Sequence, residues 1–256
     1  MIIQNDFREL GCAECANGSA LGFDFTMAFQ PIVNATTKEV FGHEALARGP
    51  ENQASGYVFD RVNDTNRYRF DQACRVKAVK LASELGVNSF LSINFMPNAV
   101  YRPELCIRTT LAAADAYGFP IERIILEITE GERVLDAAHL RDIVVHYRER
   151  GFKTALDDFG AGYAGLNLLA EIETDIVKLD MALIRGINLD TKRQAIVKGI
   201  VQVCNDLSTT TIAEGVETYE ELSVLQSFGI ELFQGYHFAR PAFQAIADVP
   251  MSAYGR

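Results

Sequence analysis

An alternation constrains this chain more than any other feature. From Met27 onward, short runs rich in β-branched or aromatic residues recur: MAFQPIV, EVFGHEAL, FLSINF, IILEIT, KTALDDF, DIVKLD, TTIAEGV and ELFQGYHF. Most are flanked by Gly, Pro or Asn, as strands are. From the second run onward, helical patterns separate them, over roughly residues 57–85, 102–117, 136–150, 165–172, 191–207 and 218–228. In DAAHLRDIVVHYRERG, Asp136 suits an N-cap, Leu140, Val144 and Tyr147 share one face, and Gly151 closes the helix. Strand–helix alternation of this length predicts an α/β fold, a TIM-like (β/α)8 barrel. One connection breaks the rule. NATTKE, between the first two strands, offers about half a dozen residues where a parallel crossover needs about a dozen or more. That pair must be a hairpin, so the first strand is antiparallel to the rest.

The 256 residues fit one such domain, taken as residues 25–256, after an N-terminal extension over residues 1–24. No apolar run reaches the ~18–20 residues that a bilayer demands, and the start lacks the pattern of a signal peptide. The expectation is a cytoplasmic protein that does not enter membranes. The net charge of −10, from 34 acids against 24 bases, argues against holding a DNA or RNA duplex on a general basic surface. It leaves room for a small phosphate-bearing ligand, because bound divalent ions reverse the local sign. Cys12 and Cys15 form a CxxC with no second pair at a zinc-like spacing, and its role stays open. Cys74, Cys106 and Cys204 fall in predicted helices as small core residues.

A barrel of this kind carries its active site at the carboxyl ends of the strands. The polar residues found there are Glu44, Asn94, Glu127, Asp157 with Asp158, Lys178, Glu214 and Gln234. They interrupt apolar runs, where an unpaired charge is costly. Singly, each has a plain structural reading: Glu44 or Glu127 as the partner of an arginine, Lys178 as half of an ion pair or as a Schiff-base lysine. Together, several carboxylates and an amide converging on one mouth ask for hard divalent cations with oxygen ligands. Asp157 and Asp158 sit beside each other at a strand end, and adjacent strand residues point to opposite faces. Gly160 and Gly162 just beyond offer the turn that brings both to one cluster.

GHEALARG, with the tripeptide Glu44-Ala45-Leu46, resembles the signature of the EAL-type cyclic-di-GMP phosphodiesterases. FQPIV, SINF, EITE, DDFGAGYAGL, IVKLD, IAEGVE and FQGYHF follow in the family's order, so the likeness spans roughly residues 25–245. The resemblance implies a barrel with its first strand antiparallel. It also implies hydrolysis of cyclic di-GMP to linear pGpG by two-metal, in-line attack of hydroxide on phosphorus, using two Mg²⁺ or Mn²⁺ per site. Carried over by motif, Glu44, Asn94, Glu127 and Asp157 would hold the first metal, and Asp157, Asp158 and Glu214 the second. Glu44, Lys178 and Glu214 would be catalytic, Lys178 by orienting or activating the attacking water.

Gln30 would reach a guanine edge and Arg48 a phosphate, with Leu46, Asp180 and Gln234 completing the substrate contacts. Tyr236 and Phe238 flank a base or belong to the core. Glu217 would support the loop around Glu214, and Glu130 the loop after Asp158. Ala164 and Gly165 stand where family members often carry hydroxyl residues, in a segment tied to dimer contact. A homodimer is implied by the resemblance alone. The alternative to an enzyme is a receptor that binds the dinucleotide without turnover and acts through a protein partner.

Overall fold

A computed structural model describes residues 21–100, 102–128, 137–161 and 166–254. The strands are β1 (Thr26–Asn34), β2 (Glu39–Arg48), β3 (Phe90–Phe95), β4 (Ile124–Ile128), β5 (Lys153–Phe159), β6 (Ile176–Leu179), β7 (Thr210–Ala213), β8 (Leu232–Gln234) and a short β9 (Ala242–Phe243). The first eight close in the order β2-β3-β4-β5-β6-β7-β8-β1, with β1 also paired to β2. Neighbours from β2 to β8 are parallel, whereas β1 is antiparallel to both β2 and β8. The short connection after β1 therefore sets the topology as expected. The two-residue β9 is an addition on the edge of β1 that no sequence pattern announced.

The helices between strands are α1 (Ser55–Phe59), α2 (Arg67–Glu84), α3 (Pro103–Cys106), α4 (Arg108–Tyr117), α5 (Ala137–Glu149), α6 (Leu166–Glu171), α7 (Met181–Ile184), α8 (Thr191–Asp206) and α9 (Tyr219–Ser227). The stretch expected as one helix from about residue 57 is two. Asn63 and Asn66 bond each other's backbone across the break, and the Asn66 side chain donates to Arg61 O. Cys74, Cys106 and Cys204 are buried, as expected for small core residues. Asp136 and the Cys12/Cys15 pair lie outside the described residues. Among those described, no helix is long and apolar enough to cross a membrane.

Two apolar layers hold the barrel. The larger lies between the strands' outer faces and the helices, and a smaller plug of Ile32, Ile125, Ala155, Ile176, Ile212 and Leu232 fills the interior. Period-two alternation then fixes what comes above the plug. Two residues on from Ile125, Ala155, Ile176, Ile212 and Leu232 stand Glu127, Asp157, Lys178, Glu214 and Gln234. On antiparallel β1 the same step runs backwards, from Ile32 to Gln30. The mouth is polar because these six strands change character once, at the same height.

His43, on β2, is 5% exposed, its Nδ1 lies 3.1 Å from Ser89 Oγ, and its Nε2 has no partner among the described residues. Burial pushes its pKa down from 6.5 to about 4. The folded state therefore holds the neutral ring while the unfolded chain takes up a proton. Stability from this group is intact above pH 6.5 and drains away as pH falls towards 4. His43→Gln should remove about 3 kcal/mol of acid sensitivity over that window, at roughly 1.4 kcal/mol per pKa unit. Urea unfolding of both proteins at several pH values checks it, and parallel pH profiles would refute the assignment.

Candidate active site

Lys178 occupies the centre of the mouth. It is 1% exposed, and its Nζ lies 2.8 Å from Glu127, 2.9 Å from Asp157, 2.7 Å from Glu214 and 3.8 Å from Glu44. Burial alone would discharge this ammonium, but Asp157, Glu127, Glu214 and Glu44 outweigh burial and raise its pKa well above the ordinary lysine value. Burial raises Glu127, Asp157 and Glu214 in turn. Lys178 pulls each of them back, while their carboxylate neighbours push the same way as burial. Lys178 is thus a fixed cation, one charge among four carboxylates.

The remaining polar atoms are ordered around Glu44. Its two oxygens accept from Asn94 Nδ2 at 2.9 Å and Gln234 Nε2 at 2.7 Å. Gln234 also lies 3.3 Å from Gln30 Oε1, and Gln30 Nε2 donates to Ala239 O at 3.2 Å. Ser92, which sequence reasoning passed over, donates to Glu127 at 2.5 Å. It stands two residues before Asn94, so the strand alternation already carried the signal.

How two adjacent aspartates reach one site has a backbone answer. The β5–β6 register shifts between Leu156 and Phe159, and Asp158 adopts φ +54°, a left-handed conformation uncommon for a residue with a side chain. The Asp158 N–H folds back onto Asp157 Oδ1 at 3.0 Å. Gly160, with φ +98°, completes the turn, while Gly162 lies outside the described residues. Burial and Asp157 push Asp158 up to about 6.

The donor set suits divalent cations. Ligand oxygens of Glu44, Glu127 and Asp157 fall within 4.8 Å of one another, and so do those of Asp157, Asp158 and Glu214. Asp157 is common to both groups. Asn94 Oδ1 and Glu127 Oε2 are buried acceptors with no hydrogen-bond partner among the described residues. Orphaned acceptors of this kind are costly unless a cation or water satisfies them.

Above the carboxylates opens a cleft of about 230 Å³, lined among others by Gln30, Leu46, Asp158, Asp180, Arg185 and Tyr236. Asp180 also caps α7 by accepting from Ala182 N at 2.7 Å. Arg185, absent from the sequence-based set, pairs with Glu217. The Glu217 backbone is held in turn by Glu221, which also accepts from Gly186 N at 2.7 Å. Arg48 ends β2 and donates to Ala47 O. Tyr236 is half-exposed with Arg240 stacked 4.1 Å over its ring, whereas Phe238 is buried against Phe233, His237 and Tyr254 and belongs to the core. Both lie beyond β8, which is shorter than the run ELFQGYHF suggested. Gly235 ends it by backing onto Val216, where any Cβ would fall 2.0 Å from a carbonyl oxygen. Glu130, Ala164 and Gly165 lie outside the described residues.

The sequence profile of the EAL domain matches residues 19–241. This chain belongs to the EAL domain family. Among curated relatives, it is 31% identical over 224 residues to the blue light- and temperature-regulated antirepressor BluF of Escherichia coli K12, covering 87% of this chain and 55% of BluF. It is 30% identical over 226 residues to PdeG of the same organism, a probable cyclic di-GMP phosphodiesterase, covering 83% and 44%. The chain thus spans about half the length of these relatives. Among solved structures, a standalone versatile EAL protein from Vibrio cholerae O395 in its c-di-GMP-bound form is 55% identical, with TM-score 0.90, covering 93% of this chain and 100% of that one. The manganese/cyclic-diGMP complex of Klebsiella pneumoniae BlrP1 is 37% identical, with TM-score 0.83, covering 89% and 58%.

The EAL mouth makes Lys178 the internal counterion of the apo site. Lys178→Met should lower stability in EDTA by about 3–5 kcal/mol, the usual consequence of stripping one partner from a buried charge cluster. Added Mn²⁺ should return part of that loss through binding to the folded state. Thermal unfolding with and without metal reads both effects. An unchanged midpoint in EDTA would mean that the carboxylates do not depend on the lysine.

Proposed function

We propose that this EAL domain, residues 25–256, hydrolyses cyclic di-GMP to linear pGpG with two divalent cations, Mg²⁺ or Mn²⁺. The observation that carries the reading is the sharing of Asp157 between two carboxylate groups, beside acceptors that lack any partner. Glu44, Asn94, Glu127 and Asp157 would hold one cation, and Asp157, Asp158 and Glu214 the other. Cations bound there supply Lewis acidity to the phosphoryl group and lower the pKa of water.

The chain's own side chains do the rest. The mouth is strongly acidic and repels an anionic ligand until cations reverse its sign. Lys178, an ammonium held among the carboxylates, acts by position and charge. It orients the nucleophile and stabilises charge as the P–O bond to water forms and the ester P–O bond breaks. Gln30, Leu46, Asp180 and Gln234 would seat the dinucleotide in the cleft, Arg48 would contact a phosphate with its planar fork, and Glu217 would steady the loop bearing Glu214. Glu130 keeps its role in loop support within this proposal, as do the homodimer and the cytoplasmic setting. A second reading, a receptor without turnover, draws on BluF, which is named an antirepressor.

Chromatography of cyclic di-GMP incubated with the purified chain separates the two. Linear product is expected with Mg²⁺ or Mn²⁺ and none in EDTA, and Glu44→Ala should cut the rate by about a hundredfold or more. Binding without product under every metal condition would replace the enzyme with the receptor. Ca²⁺, larger and more loosely coordinated, should occupy the site yet support little turnover. Equal rates with Ca²⁺ and Mg²⁺ would contradict a tight two-metal geometry.

A further inference from the structure

Helix α2 turns two charges towards the barrel wall instead of water. Asp71 and Arg75 are 3% and 0% exposed, and Arg75 Nη2 lies 2.6 Å from Asp71 Oδ2. A buried pair of this kind is a weak source of net stability, because desolvation offsets the attraction. Nor does an i,i+4 pair join its helix to anything else. The second carboxylate oxygen does: Asp71 Oδ1 accepts from Met96 N at 2.9 Å. Met96 is the first residue past β3 and stands two beyond Asn94.

Arg75 holds Oδ2, which leaves Oδ1 turned towards the strand end. On the same stretch, Phe95 points outward and packs its ring 5.6 Å from that of Tyr147 on α5. The residue between Ile93 and Phe95 is then fixed in direction. Asn94 faces inward, gives Nδ2 to Glu44 and keeps its Oδ1 free of partners among the described residues. We propose that Asp71, held by Arg75, is a positioning residue that anchors the end of β3 through the Met96 N–H and so sets the reach of Asn94 into the cation site. The anchor is a charged acceptor on a part-buried N–H, stronger than a neutral one. The inference rests on Asn94 being a metal ligand, as proposed above.

Two double variants of the full chain test it. Asp71→Leu/Arg75→Met removes both charges and the acceptor. Asp71→Asn/Arg75→Gln removes the charges but leaves a carbonyl within reach of Met96. Both should fold, as judged by circular dichroism. In the first, backbone hydrogen exchange should accelerate around residues 94–98, and Mn²⁺ affinity, read by electron paramagnetic resonance, should fall about ten- to a hundredfold. The second should stay within about threefold of the parent in affinity and keep its exchange protection. Parental exchange and affinity in the first variant would overturn the proposal, as would equal losses in both. Should the first variant fail to fold, Asp71→Ser/Arg75→Met, whose hydroxyl is too short to reach Met96, takes its place. If the parent chain itself binds no Mn²⁺, the cation-site reading falls, and the exchange data alone still decide whether Asp71 anchors the strand.

Discussion

Four carboxylates crowded inside a barrel repel one another, and the lysine at their centre makes the arrangement tolerable. Two like charges about 4 Å apart at an effective dielectric near 20 cost roughly 4 kcal/mol. Lys178 sits within 2.9 Å of three such groups and 3.8 Å of the fourth. Its charge is secured by the groups it neutralises. One ammonium does not match four carboxyl groups, and the divalent cations proposed for the mouth would supply the missing positive charge.

The rest of the architecture serves that cluster. Six of the eight barrel strands, β1 and β4 to β8, lay an apolar residue in the interior plug and a polar one two positions nearer the mouth. The plug keeps water from below while the polar ring gathers above it. Much of this was legible in the sequence because period two is legible: IILEIT and TTIAEG each show one acid breaking an apolar run, and TALDDF shows two. The antiparallel first strand was legible too, from the length of NATTKE alone.

Other features were not legible, for identifiable reasons. The glycines beyond Asp158 signalled a turn that brings both aspartates to one cluster, but not that the left-handed residue would be Asp158 itself. Asp71 and Arg75 have the i,i+4 spacing of a solvent-facing helical pair. Only the packing of α2 against β3 puts them inside. Arg185 reads as a surface arginine until its pairing with Glu217 places it on the rim of the cleft. In each case tertiary context overrode a sound local rule.

The reversed first strand changes where the chain enters the barrel. Thr26 pairs with Arg48, at the top of β2, so β1 starts at the mouth and descends. The residues just ahead are held there: Lys77 bonds Asp24 at 3.1 Å, and the Phe25 ring meets Phe70 on α2 edge-on, with centroids 5.2 Å apart. Phe70 is the neighbour of Asp71. In an all-parallel barrel an upstream segment would arrive at the floor, a full strand length from the chemistry. Here the chain enters at the rim, and Phe25 packs against the helix residue next to Asp71. The fold thereby brings the chain's entry and the carboxylate cluster to the same end of the barrel.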